Sequence, residues 1–242
     1  VGVVPLVLPL CSSNCTRVRL EALWIIHNIG ASEHKGAVVT LEVVQAIAQS
    51  YASSDSLAPI ATDTVSCYYG RVLHTLTKNC SQEHAHMMVL FIPVLKLIIF
   101  KTTSVKEVEY SCAAFANLLK AKDAKIVDEI LKENIVYILL KRLDDKKVKI
   151  IWFILNLLID ISDTCNSQQI LQLQSVVEAL YGMIHNYCCV DASVNKKTIL
   201  LAIDCIGSIA QVGPVSVAMI IRTAPTLYGN FVWLVQEGLE MM

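Results

Sequence analysis

The pentapeptide WIIHN at residues 24–28 returns as WFILN at residues 152–156, and this repetition decides the fold. Each copy carries Trp and Asn four positions apart and follows a short basic stretch. The two copies are three periods of about 43 residues apart, a length typical of repeats built from two or three helices. Repetition at this length predicts a solenoid, in which each repeat buries its apolar face against its neighbours.

The segments around the two copies also have helical patterns. Apolar residues recur three or four positions apart, and polar or Gly/Pro stretches separate them at residues 53–55, 143–146 and 212–214. Between residues 127 and 143 the apolar residues cover more than one stripe of a helix, so this helix must pack between neighbours. No segment has the convincing alternation of a strand. The sequence therefore predicts an all-α chain.

Weaker copies of the pentapeptide occupy the other periods, at residues 71–75, 113–117 and 204–208. A short apolar segment precedes each Trp helix, and it opens with Gly2 in one case and with Asn134 in the other. Both residue types tolerate the left-handed backbone that ends a preceding helix. We therefore expect each repeat to contain a short apolar helix, a turn and a long helix that carries the pentapeptide.

This arrangement resembles the armadillo-repeat family, and its first segment is most similar to importin alpha (karyopherin alpha). The similar features are a Gly-x-x-Pro-x-x-x-x-Leu segment from Gly2, EALW at residues 21–24 and Asn-Ile at residues 28–29. The resemblance implies a right-handed superhelical solenoid of about five armadillo repeats, partial at both ends. It also implies a single solenoid domain at residues 1–242, a divergent fragment of a longer chain found in the cytoplasm and nucleus.

The Trp and Asn of each pair lie on one face of their helix, because residues four positions apart are neighbours there. The Asn amide has both a donor and an acceptor, so it can pair with the backbone of an extended peptide. Indole faces form slots for a Lys or Arg side chain, with an attraction of about 0.5–2 kcal/mol per site. The residues predicted to bind a peptide are Trp24, Asn28, Asn117, Trp152 and Asn156.

The resemblance also implies partners for these pairs. In importin alpha such pairs line a concave groove and hold a basic nuclear localisation peptide, so a basic localisation sequence is the favoured ligand. A beta-karyopherin is the second implied partner, bound through an N-terminal segment outside this sequence. The predicted function is therefore that of a non-enzymatic import adaptor.

Three charged residues are further candidates for the groove: Glu21, Arg71 and Asp160. The carboxylates of Glu21 and Asp160 would attract a basic peptide, although both also fit ordinary solvated positions. Arg71 holds the Trp position of the second period, where it would repel a basic peptide and favour an acidic one. The alternative function is therefore a structural or signalling scaffold similar to beta-catenin, which docks protein partners and in which the Trp residues are packed.

Composition and motifs argue against other functions. Lys and Arg total 20 against 21 Asp and Glu, so no long-range field draws the chain to nucleic acid. No phosphate-binding loop or nucleophile motif is present, and we predict neither a catalytic residue nor a cofactor. The nine cysteines lack zinc-site spacing, so we predict no metal. The most apolar run, residues 86–100, is interrupted by Pro93 and Lys96, and we predict no membrane span.

Overall fold

The computed structural model describes residues 2–54, 62–78, 80–189 and 196–224. Within these ranges the regular elements are α-helices and short 3-10 turns, without a strand, which confirms the all-α prediction. The α-helices are, in chain order, α1 Val4–Val7, α2 Thr16–Ala31, α3 Leu41–Ser54, α4 Thr62–Thr77, α5 Gln82–Met88, α6 Ile92–Lys101, α7 Val105–Leu119, α8 Ala124–Lys132, α9 Ile135–Lys141, α10 Val148–Thr164, α11 Gln174–Cys189, α12 Lys196–Gln211 and α13 Pro214–Thr223.

The chain forms two compact units, Val1–Ile138 and Leu139–Met242, whose boundary falls within α9. Each unit has a buried apolar core, with Phe91 and Phe115 in the first and Leu158 in the second. The single solenoid domain expected at residues 1–242 stays a prediction.

Three long helices of the first unit pack side by side in chain order, α2 against α4 and α4 against α7. These three helices carry the pentapeptide periods at residues 24–28, 71–75 and 113–117. The shorter α6 packs against α7 and also contacts α4. The predicted repeat register is therefore confirmed here, and we call α2, α4 and α7 the ladder helices of the first unit.

The second unit repeats this packing with α10 and α12, which lie against each other. They carry the periods at residues 152–156 and 204–208. The hydroxyl of Ser208 on α12 donates to the carboxylate of Asp163 on α10, so the two helices are also joined by a polar contact. Helix α11 packs against both α12 and α13.

Backbone conformation at two predicted positions separates consecutive helices. Asn134, between α8 and α9, has φ +55°, which confirms the left-handed conformation expected there. Gly213 has φ +148°, and Pro214 follows it in the first turn of α13, where a missing N–H costs nothing. Lys122, between α7 and α8, has φ +50°, and its residue type did not predict this conformation.

The most apolar run of the chain is folded into α5, a 3-10 turn at Val89–Phe91, and α6. Pro93 lies in the first turn of α6, so it begins a helix there. Among the described residues, Gln82–Lys101 is the one stretch that has the length and apolar composition of a membrane span, and 44% of its most apolar window is buried. Ile92, Leu95 and Ile98 of α6 are fully buried in the first unit, as in a core helix.

Arg19, in the basic stretch before WIIHN, is buried. Its Nε and Nη2 atoms donate to the backbone carbonyl of Ser13, at 3.2 and 2.8 Å. The nearby carbonyl of Cys11 accepts from the hydroxyl of Ser50 on α3, which also bonds the hydroxyl of Tyr69 on α4. This basic stretch therefore contributes a buried structural contact as well as surface charge.

Gly30 allows α2 and α4 to approach closely. A Cβ at this position would lie 3.1 Å from Cδ2 of Leu76 and 3.3 Å from Cγ2 of Thr75, tighter than ordinary van der Waals contact. Leu76 is fully buried and cannot move aside without disturbing the core.

Replacing Gly30 with Ala is expected to destabilise the first unit by about 1–3 kcal/mol, because overpacking outweighs the gain in helix propensity. Gly182→Ala, on α11, is the matched control, since its Cβ would meet nothing within 4 Å. That variant gains only helix propensity, up to about 1 kcal/mol. Urea unfolding followed by far-UV circular dichroism measures both effects. An unchanged or higher unfolding midpoint for Gly30→Ala would contradict the close packing of α2 on α4.

Candidate functional site

Trp24 on α2 is half-buried, and its ring faces are already in contact with neighbouring side chains. The guanidinium carbon of Arg71, on α4, lies over the Trp24 ring at 5.0 Å from its centroid. The His27 ring stacks on Trp24 at 5.1 Å, and the Tyr68 ring meets it edge-on at 6.2 Å. The slot expected to receive a ligand cation therefore holds a cation of the protein itself.

Polar side chains join the ladder helices beside this cluster. Nδ1 of His27 and the hydroxyl of Thr75 share a hydrogen bond of 2.9 Å between α2 and α4. Nδ2 of Asn117, on α7, donates to the hydroxyl of Thr77 at 3.4 Å, and Lys120 Nζ donates to Oδ1 of Asn117 at 3.3 Å. The Asn117 amide is therefore engaged on both sides within the protein.

The cluster continues onto α7 through His74 and Tyr110, whose rings stack with centroids 5.9 Å apart. Asn28, four residues after Trp24, is exposed, and so is Glu21, three residues before it. We call the side chains of this cluster, together with Asn28 and Asn117, the first ladder surface. Its residues are Trp24, His27, Asn28, Tyr68, Arg71, His74, Thr75, Tyr110 and Asn117.

Sequence reasoning missed five of these residues, of which Thr75 is the last residue of its pentapeptide. Tyr68 and His74 lie three positions before and after Arg71, His27 lies three after Trp24, and Tyr110 lies three before position 113. A residue three positions before or after the first position of a pentapeptide lies on the same helix face as that position. This spacing is the signal in the sequence that could have found these four side chains.

Burial and charge act together on His27. Burial lowers the pKa of His27 below its usual 6.5, and the positive charge of Arg71 and the His74 ring lower it further. The ring is therefore neutral at pH 7. A neutral imidazole can share its hydrogen bond with Thr75 and still stack on Trp24.

The pKa of His74 is lowered for similar reasons. Burial is the main cause, Lys78 lowers the pKa further, Glu109 raises it, and Lys120 lowers it. The two cations that directly follow α4 and α7 thus outnumber the one carboxylate that acts on this ring. The first ladder surface has a locally positive potential although the whole chain is close to neutral.

Trp152, on α10 of the second unit, has a different environment from that of Trp24. Trp152 on α10 is 45% exposed, and its ring meets Phe153 edge-on at 5.1 Å. Nδ2 of Asn156 donates to the backbone carbonyl of Trp152 at 2.8 Å, so the amide N–H is turned back onto its own helix. Asp160 follows one turn later and is half-buried. Trp152, Asn156 and Asp160 are spaced four positions apart and share one face of α10, the second ladder surface.

The predicted site residues therefore fall into two groups. Trp24, Asn28 and Arg71 lie together in the first unit, where Asn117 extends the surface onto α7. Trp152, Asn156 and Asp160 lie together on α10 of the second unit. Their assignment to peptide binding stays a prediction.

The described cysteine and other metal-ligating side chains do not form a cluster, and Cys11 and Cys205 are buried. No group of three or more His, Cys, Asp or Glu side chains lies close enough to hold a metal ion in these ranges. Burial raises the pKa of the Cys11 thiol to about 11 and that of Cys205 to about 12. Both thiols are protonated at neutral pH and behave as core side chains.

Designed armadillo repeat proteins are among the solved structures with similar backbones. One, in complex with the peptide (KR)4, has a TM-score of 0.74 and 14% sequence identity, over 96% of this chain and 90% of that chain. A second has a TM-score of 0.70 and 14% identity, over 91% and 87%. A computationally designed armadillo repeat protein for modular peptide recognition has a TM-score of 0.69 and 14% identity, over 91% and 87%.

No protein-family model and no curated protein matches the sequence. At identities this low, similarity to solved structures shows the fold and nothing more. The predicted fold class, an all-α solenoid of armadillo repeats, is confirmed.

Two matched variants test the positive potential of the first ladder surface. Arg71→Ala is expected to raise the pKa of His27 more than that of His74, because it removes the cation that acts most strongly on His27. Lys78→Ala is expected to raise the pKa of His74 more than that of His27. Titration of the histidine ring protons by NMR measures each pKa. Equal changes at both rings in both variants, or changes downward, would contradict the contacts described above.

Proposed function

We propose that this chain is a non-enzymatic armadillo solenoid that binds extended peptide segments of partner proteins on α2, α4 and α7 of the first unit and on α10 of the second unit. The observation that carries the proposal is the exposed Trp152 with Asn156 and Asp160 in line on one face of α10. A large indole face left open to solvent beside polar groups is typical of a recognition surface.

Each of the three residues has a distinct part in this binding. The Trp152 face receives the apolar stem and charge of a Lys or Arg side chain. The Asn156 carbonyl accepts from a peptide N–H, and its N–H group can exchange the bond to Trp152 for one to a peptide carbonyl. The Asp160 carboxylate supplies the opposite charge at one end of this face.

The finer proposal is an importin-alpha-like adaptor that binds basic nuclear localisation peptides and works between cytoplasm and nucleus. An acidic group in line with an open Trp, in the second unit, supports a basic ligand. One designed protein of similar fold is described as a complex with the basic peptide (KR)4, so this fold can carry such a site. A beta-karyopherin partner belongs to the same proposal.

The second candidate is a scaffold that docks protein partners in the manner of beta-catenin. The occupied Trp24 slot and the positive potential of the first ladder surface favour this candidate in the first unit. The two candidates differ in the charge of the bound segment.

Trp152→Ala is expected to weaken binding of a labelled Lys/Arg-rich peptide by about 2- to 30-fold, the loss of one cation–π site. Asp160→Asn is expected to weaken it less, and chiefly at low salt. Fluorescence anisotropy measures both dissociation constants.

Phe100→Ala is the control, because this exposed aromatic lies on α6 and outside the ladder helices. It should leave the affinity unchanged. Unaltered binding by Trp152→Ala, or equal losses in Trp152→Ala and Phe100→Ala, would contradict the proposed site.

A further inference from the structure

Arg71 is an exposed cation in an unusual setting. Its guanidinium lies over the Trp24 ring, and no described carboxylate lies within ion-pair distance of it. Its charge is therefore held in place by an aromatic face without being neutralised by a partner.

The geometry of a guanidinium makes this arrangement selective. When one face of the group lies against an aromatic ring, its N–H donors in the molecular plane still point outward. A carboxylate accepts two such donors at once, in a fork that a Lys ammonium cannot present. Because the Trp24 contact already restricts the Arg71 side chain, less conformational entropy is lost when a carboxylate binds.

The surrounding charges favour the same ligand. Lys78, directly after α4, and Lys120, directly after α7, act on His74, and Lys120 also bonds Asn117. Three carboxylates oppose them: Glu109, which acts on His74, Glu107, which acts with Lys106 and Arg71 on Cys67 of α4, and Glu21, exposed on α2. With Arg71 and Lys106 included, four cations face three carboxylates, so the net charge of this surface gives an approaching basic segment no attraction.

We infer that Arg71 determines the ligand specificity of the first ladder surface. It occupies the Trp24 slot, so that Lys and Arg side chains of a ligand cannot enter, and its N–H groups bind the carboxylates of an acidic, extended segment. This inference rests on the proposed peptide-binding function and names the ligand class for the first unit. The second ladder surface, with an open Trp152 and Asp160, has the opposite preference.

The test compares two labelled peptides of equal length, one of Glu and Ser and one of Lys and Ser. All proteins carry Trp152→Ala, which weakens the second ladder surface, and binding is localised by NMR shifts of the His27 ring. The protein with Arg71 intact is expected to bind the acidic peptide at least about tenfold more tightly than the basic one. Arg71→Ala should weaken acidic-peptide binding about tenfold and strengthen basic-peptide binding.

Two further variants separate specificity from general charge and folding. Arg71→Lys keeps the charge but loses the planar fork, so it should lose most of the preference for the acidic peptide. Arg17→Ala removes an exposed cation from the first turn of α2 and should leave the preference intact. Far-UV circular dichroism checks that each variant is folded.

Three outcomes would overturn the inference. One is a basic peptide that shifts the His27 signals at the same or lower concentration than the acidic peptide. Another is an Arg71→Ala variant in which the ratio of the two affinities is unchanged. The third is that neither peptide binds the Trp152→Ala protein or the protein with Trp152 intact. In that case the proposed function itself fails, and the inference fails with it.

Discussion

The close approach of α2 and α4 at Gly30 is the constraint on which the first ladder surface depends. With Leu76 and Thr75 directly against the Gly30 backbone, the two helices meet in a register that puts equivalent repeat positions side by side. Trp24 then lies beside Arg71, and His27 lies within hydrogen-bond distance of Thr75. The arrangement of the surface side chains therefore follows from a buried contact directly beneath them, which Thr75 shares with Leu76.

Periodic features of the fold were accessible from the sequence. The pentapeptide register located the ladder helices, and Asn134 marked a helix end, because both depend on local spacing or on the preference of one residue. The contacts of the site were less accessible. The sequence predicts that Arg71 projects into a groove and repels a basic peptide. The structure shows in addition that its guanidinium covers the Trp24 ring. That contact depends on how far α4 is shifted along its axis relative to α2. The residues near Trp24 or Arg71 in the sequence do not determine this shift.

The hydrogen bond of Asn156 shows the same limit at shorter range. Spacing alone puts Trp152 and Asn156 on one face, but it does not decide whether the amide points outward or bonds the carbonyl four residues earlier. Aromatic and histidine residues three positions from the pentapeptide's first position complete the first ladder surface, and their spacing was visible in the sequence. Their pairing across helices, such as His74 with Tyr110, became visible only in the structure.

A near-zero net charge conceals different environments of Trp24 and Trp152. A cation of the protein covers Trp24, whereas Trp152 is exposed on the helix face that also carries Asp160. The covered one has a consequence for competition. Because Arg71 is tethered to the same molecule, it competes for the Trp24 face at an effective concentration of the order of millimolar. A free basic segment at micromolar concentration cannot displace it through a single side chain. A partner that displaces Arg71 from the Trp24 face must therefore bind at several points at once. The slot is accessible to multivalent ligands and not to a single charged side chain.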